Sequence, residues 1–289
     1  MSKVSIVTDS VASIPESMIN ELNISIVPYF IHWGEETFQD LVNIQREPFY
    51  SRLALSKTLP KTANPSPGNY AQVYQQLAQE NRSSEIVSIH MTSKGSGAFQ
   101  AALAGKRIAL EAMPDLKIGI IDTLNVSLCQ GWMVIEAARD ALSGVSYSGI
   151  IERVKSMMPF TKMLQTADTL KYLYMGGRIG GAKHLLGTAL KIMPIIGMQN
   201  GLIVPLGQAR TRARVYQMMI EKVETAVGRQ GKIKIAFVHA AAKNEAQKLK
   251  ALVENRFDIV ESIIAELSPA LGVHTGPGTV GMCYFPVNS

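Results

Sequence analysis

The apolar run Ile86-Val87-Ser88-Ile89 and, three residues later, the segment Ser93-Lys94-Gly95-Ser96-Gly97-Ala98-Phe99-Gln100 decide the class of fold. A short apolar run bounded by turn residues is a buried strand, and glycine and serine ahead of an alanine-rich stretch mark a tight turn and a helix opening at Ala98. The same step recurs through the first half of the chain. A strand over 4–8 ends in Thr8-Asp9-Ser10, and a helix over 16–22 follows, with Pro15 opening it and Ser13 as its cap. A strand over 24–30 and a helix over 46–56 come next, then a loop over 61–68 with Ser66 or Asn64 capping a helix over 69–79. Strand 85–89 leads to helix 97–113, and strand 116–121, ending in Asp122-Thr123, leads to helix 126–142. Strands alternating with helices predict a parallel α/β sheet, whose ligands bind beyond the C-terminal strand ends. Asp9, Ser10, Ser93, Ser96, Asp122 and Thr123 fall at such ends.

The second half reads differently. It contains a helix over 150–158, a strand over 163–167, the segment 170–175 running into Gly176-Gly177-Arg178-Ile179-Gly180-Gly181, and a helix over 184–191. A hairpin over 194–205 turns at Gln199-Asn200-Gly201, since Asn-Gly favours the two-residue turn with both φ angles positive. Helix 216–227, strand 233–239, helix 246–255 and strands 259–267 and 279–285 complete the chain, an α+β arrangement with antiparallel pairing. The change of character lies near 144–150, so the expected domains are 1–148, with a parallel sheet flanked by helices, and 149–289, with a mixed sheet. Within the latter, His274 stands just before the turn Gly276-Pro277-Gly278, with strands expected on both sides.

Of 289 residues, 47% are hydrophobic and 18% charged, enough for a large core. Mean hydropathy is +0.10, yet no apolar run reaches the ~18 residues of a spanning helix. A strand begins at Lys3, so no signal peptide is expected. Two cysteines, Cys129 and Cys283, provide neither a disulfide framework nor zinc spacing, which fits a cytoplasmic protein without a metal or other cofactor. Part of the net charge of +6 surrounds Arg178, Lys183 and Lys191, and part lies in Arg210, Arg212 and Arg214. Alternation along an extended segment puts the last three on one side, where they dock an acidic partner or phosphate. No nucleic-acid module is present, and nucleic acid is not an expected partner.

The chemical motifs point away from nucleotides. Gly176-x4-Gly181-Ala182-Lys183 lacks the Gly-Lys-Ser/Thr ending of a phosphate loop, and Gln100 replaces the third glycine of a dinucleotide fingerprint. His90 and His239 end apolar strands and read as satisfied strand-end histidines. An acyl hydrolase or transferase would use Ser96 with His274 as base, but the Gly-Ser-Gly segment falls one residue short of a nucleophile elbow. A third reading has His274 carry a phosphoryl group. Binding of a carboxylate uses the same residues otherwise: hydroxyls of Thr62 and Ser96, a ring N–H of His274 and the amides opening the helix after Gly97. A tail of roughly 15 buried carbons at ~0.8 kcal/mol each would add on the order of 12 kcal/mol gross, in a lining that the chain's methionines suit.

These residues resemble the DegV family of fatty-acid-binding proteins. The resemblance runs from Thr8-Asp9-Ser10-x3-Ile14-Pro15 through Lys61-Thr62-x2-Pro65-Ser66, Ser93-Lys94-x-Ser96-Gly97, Asp122-Thr123 and Leu170-Lys171-Tyr172-Leu173-x2-Gly176-Gly177-Arg178-Ile179 to His274-Thr275-Gly276-Pro277-Gly278. It implies two α/β domains with a fatty acid such as palmitate between them, and a non-enzymatic bacterial carrier that presents the carboxyl to a fatty acid kinase for phosphorylation. It also admits a transient membrane contact. By resemblance Thr62 and Ser96 contact the carboxylate with His274 nearby, and the candidate ligand-binding set is Thr62, Ser93, Ser96, Gly97, Arg178 and His274. The chain departs from the family pattern at Ala63-Asn64, where Ser-Gln is usual, at Ala98-Phe99, where Thr-Tyr is usual, and at Met193-Pro194, where Lys-Pro is common.

Overall fold

The β-branched runs of the first half become the strands of a parallel sheet. Strands β1 (Ser5–Asp9), β2 (Ile24–Val27), β6 (Glu85–His90) and β7 (Lys117–Asp122) take the order β2-β1-β6-β7, every neighbour parallel. In this computed structural model, which describes residues 4–80, 83–185 and 192–287, the chain divides into two compact units. The first runs through Ile44 and takes in Pro60–Pro159; the second takes Gln45–Leu59 and the chain from Phe160 onward.

In the first unit, Val7, Val27, Ile86 and Ile118 share a core with Tyr70 and Tyr74 of α3 (Pro67–Glu80) and Ala102 and Ala109 of α4 (Ala98–Ala112). Gly105 allows the two helices to close: a Cβ there would stand 2.6 Å from the Tyr70 Cβ and 2.7 Å from the Pro67 carbonyl. Helix α5 (Leu128–Leu142) packs on β1 and is buried without a break from Leu128 to Ala138. Two short helices, α1 (Glu16–Glu21) and α6 (Tyr147–Met157), complete the layers, α6 capped by the Ser146 hydroxyl, which accepts from the Gly149 N–H.

Three local expectations change. The strand expected over 24–30 is two strands, because Pro28 has no N–H to give a ladder; β3 (Phe30–Trp33) pairs instead with β4 (Glu36–Gln39) and β5 (Lys61–Ala63) in an antiparallel sheet of order β4-β3-β5. The loop expected at 61–68 therefore begins as a strand, with Thr62 opposite Ile31. Ser13 does not cap α1, where Pro15 stands; it adopts φ +56 and its hydroxyl donates to the Val11 carbonyl. Ser66 does cap the next helix, accepting from the Asn69 N–H while its own N–H donates to Asn69 Oδ1.

The second unit is built on a six-stranded mixed sheet of order β10-β9-β8-β13-β11-β12. Its strands are β8 (Lys162–Thr166), β9 (Met193–Gln199), β10 (Leu202–Ala209), β11 (Lys232–His239), β12 (Asp258–Glu266) and β13 (Val280–Pro286). Only β11 and β12 run parallel. The hairpin turns at Asn200 and Gly201 with φ +49 and +80 as expected. Helices α8 (Arg212–Val227) and α9 (Lys243–Glu254) bury Val215, Met219, Val223, Leu249 and Val253 against Ile235, Phe237 and Met282. Helix α2 (Arg46–Leu55) counts with this unit, although a cut at residue 148 assigns it to the first: the Tyr50 hydroxyl donates to the Leu267 carbonyl and Arg46 Nε to that of Glu266. Local sequence shows a helix but not the distant strand end to which Arg46 and Tyr50 donate.

Three further segments differ from expectation. His274 lies in helix α10 (Pro269–Thr275), not beside strands; Ser268 accepts from the Leu271 N–H, Pro269 occupies the first turn, and Gly276 ends the helix at φ +74. Arg212 opens α8 behind the Thr211 cap, so Arg210, Arg212 and Arg214 do not alternate along a strand. Of the helix expected over 184–191, Gly180–Leu185 forms a 3-10 turn and 186–191 lies outside the described residues. Among the described residues no helix is long and apolar enough to cross a membrane.

Candidate functional site

The chain leaves β1 toward β2 on one side and later returns to β6 on the other, so the sheet's switch point lies between β1 and β6. Crevices at such points are the usual ligand sites of open parallel sheets. A buried network holds these two strand ends. His90 Nδ1 lies 3.1 Å from Asp9 Oδ2, His90 Nε2 lies 2.7 Å from Ser88 Oγ, and the Tyr74 hydroxyl donates to Ser88. Gln130 Nε2 donates to Thr8 Oγ1 and to Asp9 Oδ1, and the Met91 N–H donates to Asp9 Oδ2. Asp9, Ser88 and His90 line up like a catalytic triad, but each has 0% exposure, so no substrate reaches Ser88. The arrangement fixes where β6 ends and the next turn begins.

That turn carries the predicted residues. The Ser93 N–H donates to both oxygens of Asp122 at 3.2 Å, and the Leu124 N–H donates to Asp122 Oδ1. Thr92 Oγ1 accepts from the Lys94 N–H, and the Thr92 N–H donates to the Asn125 carbonyl. Asp122 and its neighbours thus clamp the first part of the turn. Ser96, half-buried, lies two residues ahead of α4: its Oγ accepts from the Ala98 N–H at 3.3 Å. Gly97 caps α4 without a side chain, and a Cβ there would come 2.9 Å from Asn64 Oδ1. The β5 segment that holds the half-buried Thr62 is therefore packed against the Ser96 turn through Asn64.

Tyr29 escaped sequence reasoning. Its hydroxyl lies 2.6 Å from Ser96 Oγ, and its N–H donates to Ser10 Oγ at 3.0 Å. The only signal is Pro28, which has no N–H to extend the β2 ladder and so separates β2 from β3.

In the second unit two motifs a hundred residues apart meet. Helix α7 (Lys171–Met175) leads into Gly176, and a Cβ at Gly176 would collide with His274 Nδ1; a Cβ at Gly276 would collide with the Tyr172 ring. Each motif's glycine receives the other motif's ring. Arg178, exposed, donates from Nη1 to the Gly176 carbonyl at 2.7 Å. Burial, and then the Arg178 cation, depress the His274 ring to a pKa of about 4, so it is neutral at pH 7 and offers one N–H rather than a charge. Arg212 is half-buried and paired with Asp168 and Glu245, and it donates to the Gly278 carbonyl. It braces the Gly276–Gly278 turn rather than forming a docking rim. Among the described residues no group of three His, Cys, Asp or Glu side chains is placed to hold a metal ion.

The histidines give a pH prediction. His239 is also depressed to about 4, by burial first and then by Lys243 and Arg46. A histidine bound to more protons unfolded than folded stabilises the fold above its unfolded pKa of ~6.5 and loses that contribution as pH falls toward the folded value. These two histidines therefore leave melting temperature level from pH 8 to 7 and lower it between about pH 6.5 and 4, each costing at most about 3 kcal/mol of stability and less where water screens the ring. Calorimetry of the His239→Gln/His274→Gln double variant should show a flatter profile in that window. An equally steep fall there would remove the histidines as its cause.

A family model described as "Uncharacterised protein, DegV family" matches residues 3–287 of the chain. A DegV domain-containing protein of Clostridium acetobutylicum is 31% identical over 282 residues, covering 98% of this chain and 97% of its own. The structure of a fatty-acid-binding DegV family protein from Thermus thermophilus matches with a TM-score of 0.90 at 25% identity, covering 99% of this chain and 100% of its own. A stearic-acid-binding protein from Eubacterium ventriosum matches with a TM-score of 0.89 at 25% identity, covering 99% and 98%.

Proposed function

Because this chain belongs to the DegV family, we propose that it binds a long-chain fatty acid such as palmitate, with the carboxylate at the Ser96 turn, and carries it in the cytoplasm without catalysis of its own. The observation that carries this reading is the half-buried Ser96 hydroxyl at the start of α4, beside the switch point of the parallel sheet. An anion there meets a hydroxyl proton and the partial positive charge of a helix N-terminus. Thr62, Ser93 and Gly97 are the further ligand-binding residues assigned on the first unit, and Arg178 and His274 those on the second. The fatty-acid binding named for the Thermus thermophilus protein and the stearic acid named for the Eubacterium ventriosum protein support the ligand class. A separate fatty acid kinase would phosphorylate the carboxyl to an acyl phosphate. With Arg212 committed to Asp168, exposed Arg210 is the remaining arginine of the trio best placed to meet such a partner.

Solvent extraction of the purified protein, followed by chromatography, should yield close to one fatty acid per chain, and its removal should lower the melting temperature. Lipid that mild detergent strips without any change in melting would overturn the proposal. A covalent acyl adduct on Ser96, seen by mass spectrometry of the intact protein, would instead support the acyl transferase or hydrolase reading.

A further inference from the structure

Resting on that reading, we propose that Tyr29 is a specificity-determining residue: its hydroxyl donates to Ser96 and so reserves the Ser96 proton for an ionised carboxylate. A serine hydroxyl has one proton and two lone pairs. The Ala98 N–H occupies one lone pair at 3.3 Å. The Tyr29 hydroxyl, 2.6 Å away, occupies the other when it donates. Ser96 is then left with nothing but a proton to offer. A proton donor whose oxygen already accepts two hydrogen bonds is polarised and strengthened. Its best partner is an acceptor with negative charge and no proton of its own. The opposite polarity, Ser96 donating to Tyr29, would leave no proton for the ligand and would disfavour a carboxylate. The two polarities therefore predict opposite ligand preferences at one pair of atoms.

Tyr29 is held for this task. It is 4% exposed, and its backbone N–H is fixed by Ser10 Oγ at 3.0 Å. Ser10 follows Asp9, which His90, Gln130 and the Met91 N–H hold at the end of β1. The Thr8-Asp9-Ser10 motif thus acts on the head group at one remove, through the residue that polarises Ser96. Tyr29 is a positioning residue in this account, since it reaches the ligand through another side chain.

The test compares hexadecanoic acid with hexadecan-1-ol in the intact chain, wild type against Tyr29→Phe, by calorimetric titration. Losing the polarising bond should weaken the acid about tenfold while the alcohol stays within about twofold. With acid labelled at the carboxyl carbon, NMR titration should show the bound carboxyl protonating at higher pH in Tyr29→Phe than in wild type. Replacing Tyr29 by 3-fluorotyrosine keeps the shape and makes the hydroxyl a better donor; the bound carboxyl should then protonate at lower pH, which keeps the test decisive should Tyr29→Phe fail to fold. Equal weakening of acid and alcohol, no change in either, or an unmoved carboxyl titration would overturn the role of Tyr29. A wild-type chain that takes up neither lipid would overturn the proposed function itself, and the wild-type titration alone reveals that case.

Discussion

The Thr62→Ala/Ser96→Ala double variant loses fatty-acid affinity by two to four orders of magnitude while it still folds cooperatively, its melting temperature without ligand falling by several °C as the Tyr29 hydroxyl loses its Ser96 partner. Each substitution removes one hydrogen bond to a charged group, worth ~1.5–3 kcal/mol. The pair together then costs ~3–6 kcal/mol, or about 10²–10⁴ in Kd. The fold should tolerate both. Thr62 and Ser96 are half-buried and neither fills a core, so the loss of stability is confined to local hydrogen bonds such as that between Ser96 and Tyr29. Titration calorimetry with hexadecanoate, beside a thermal melt of the free protein, measures the two quantities separately. Unchanged affinity in the double variant would remove the head-group assignment and leave the lipid to another part of the chain.

What could be read from sequence divides along a physical line. The four parallel strands were legible because their apolar runs are bounded by helix-opening sequence, and a buried strand needs no partner to announce itself. Strand-end positions follow, so Asp9, Ser93, Ser96 and Asp122 are legible as residues at or just beyond the C-terminal ends of the parallel strands. Residues whose structure depends on a distant partner were not legible. Lys61–Ala63 is a strand only because Phe30–Trp33 lies beside it. Arg212 looks like a surface charge until Asp168 and the Gly278 carbonyl are brought to it. Tyr29 carries no motif at all, and its contact with Ser96 spans 67 residues. His274 differs from expectation for a local reason: the apolar residues around Gly276-Pro277-Gly278 suggest strands, whereas the Ser268-Pro269 pair starts a helix. Capping sequence was the stronger evidence there.

Gly276→Ala is expected to destabilise the second unit by about 2–6 kcal/mol, with a fall in melting temperature of roughly 5–20 °C. Two costs combine. Gly276 sits at φ +74 and ψ 161, a region that only glycine occupies without strain. That strain costs ~1–3 kcal/mol. The added Cβ would also run into the Tyr172 ring, and crowding of that kind costs ~1–3 kcal/mol or more. Gly228 provides the control, since it has nearly the same backbone, φ +81 and ψ 165, with nothing within 4 Å of a Cβ. Gly228→Ala should therefore show the backbone cost alone, ~1–3 kcal/mol. The difference between the two alanines isolates the meeting of the two motifs. Adding Tyr172→Ala to Gly276→Ala should return part of that difference, a coupling of about 1–3 kcal/mol in a double-mutant cycle. The same interlock sets His274 over Gly176 beside Arg178. Loosening it at Gly276 should then raise the His274 pKa from about 4 toward its ordinary value as the ring gains water, which NMR titration of the ring protons can follow. If Gly276→Ala costs no more than Gly228→Ala and the His274 titration does not move, the two motifs are neighbours without being interlocked.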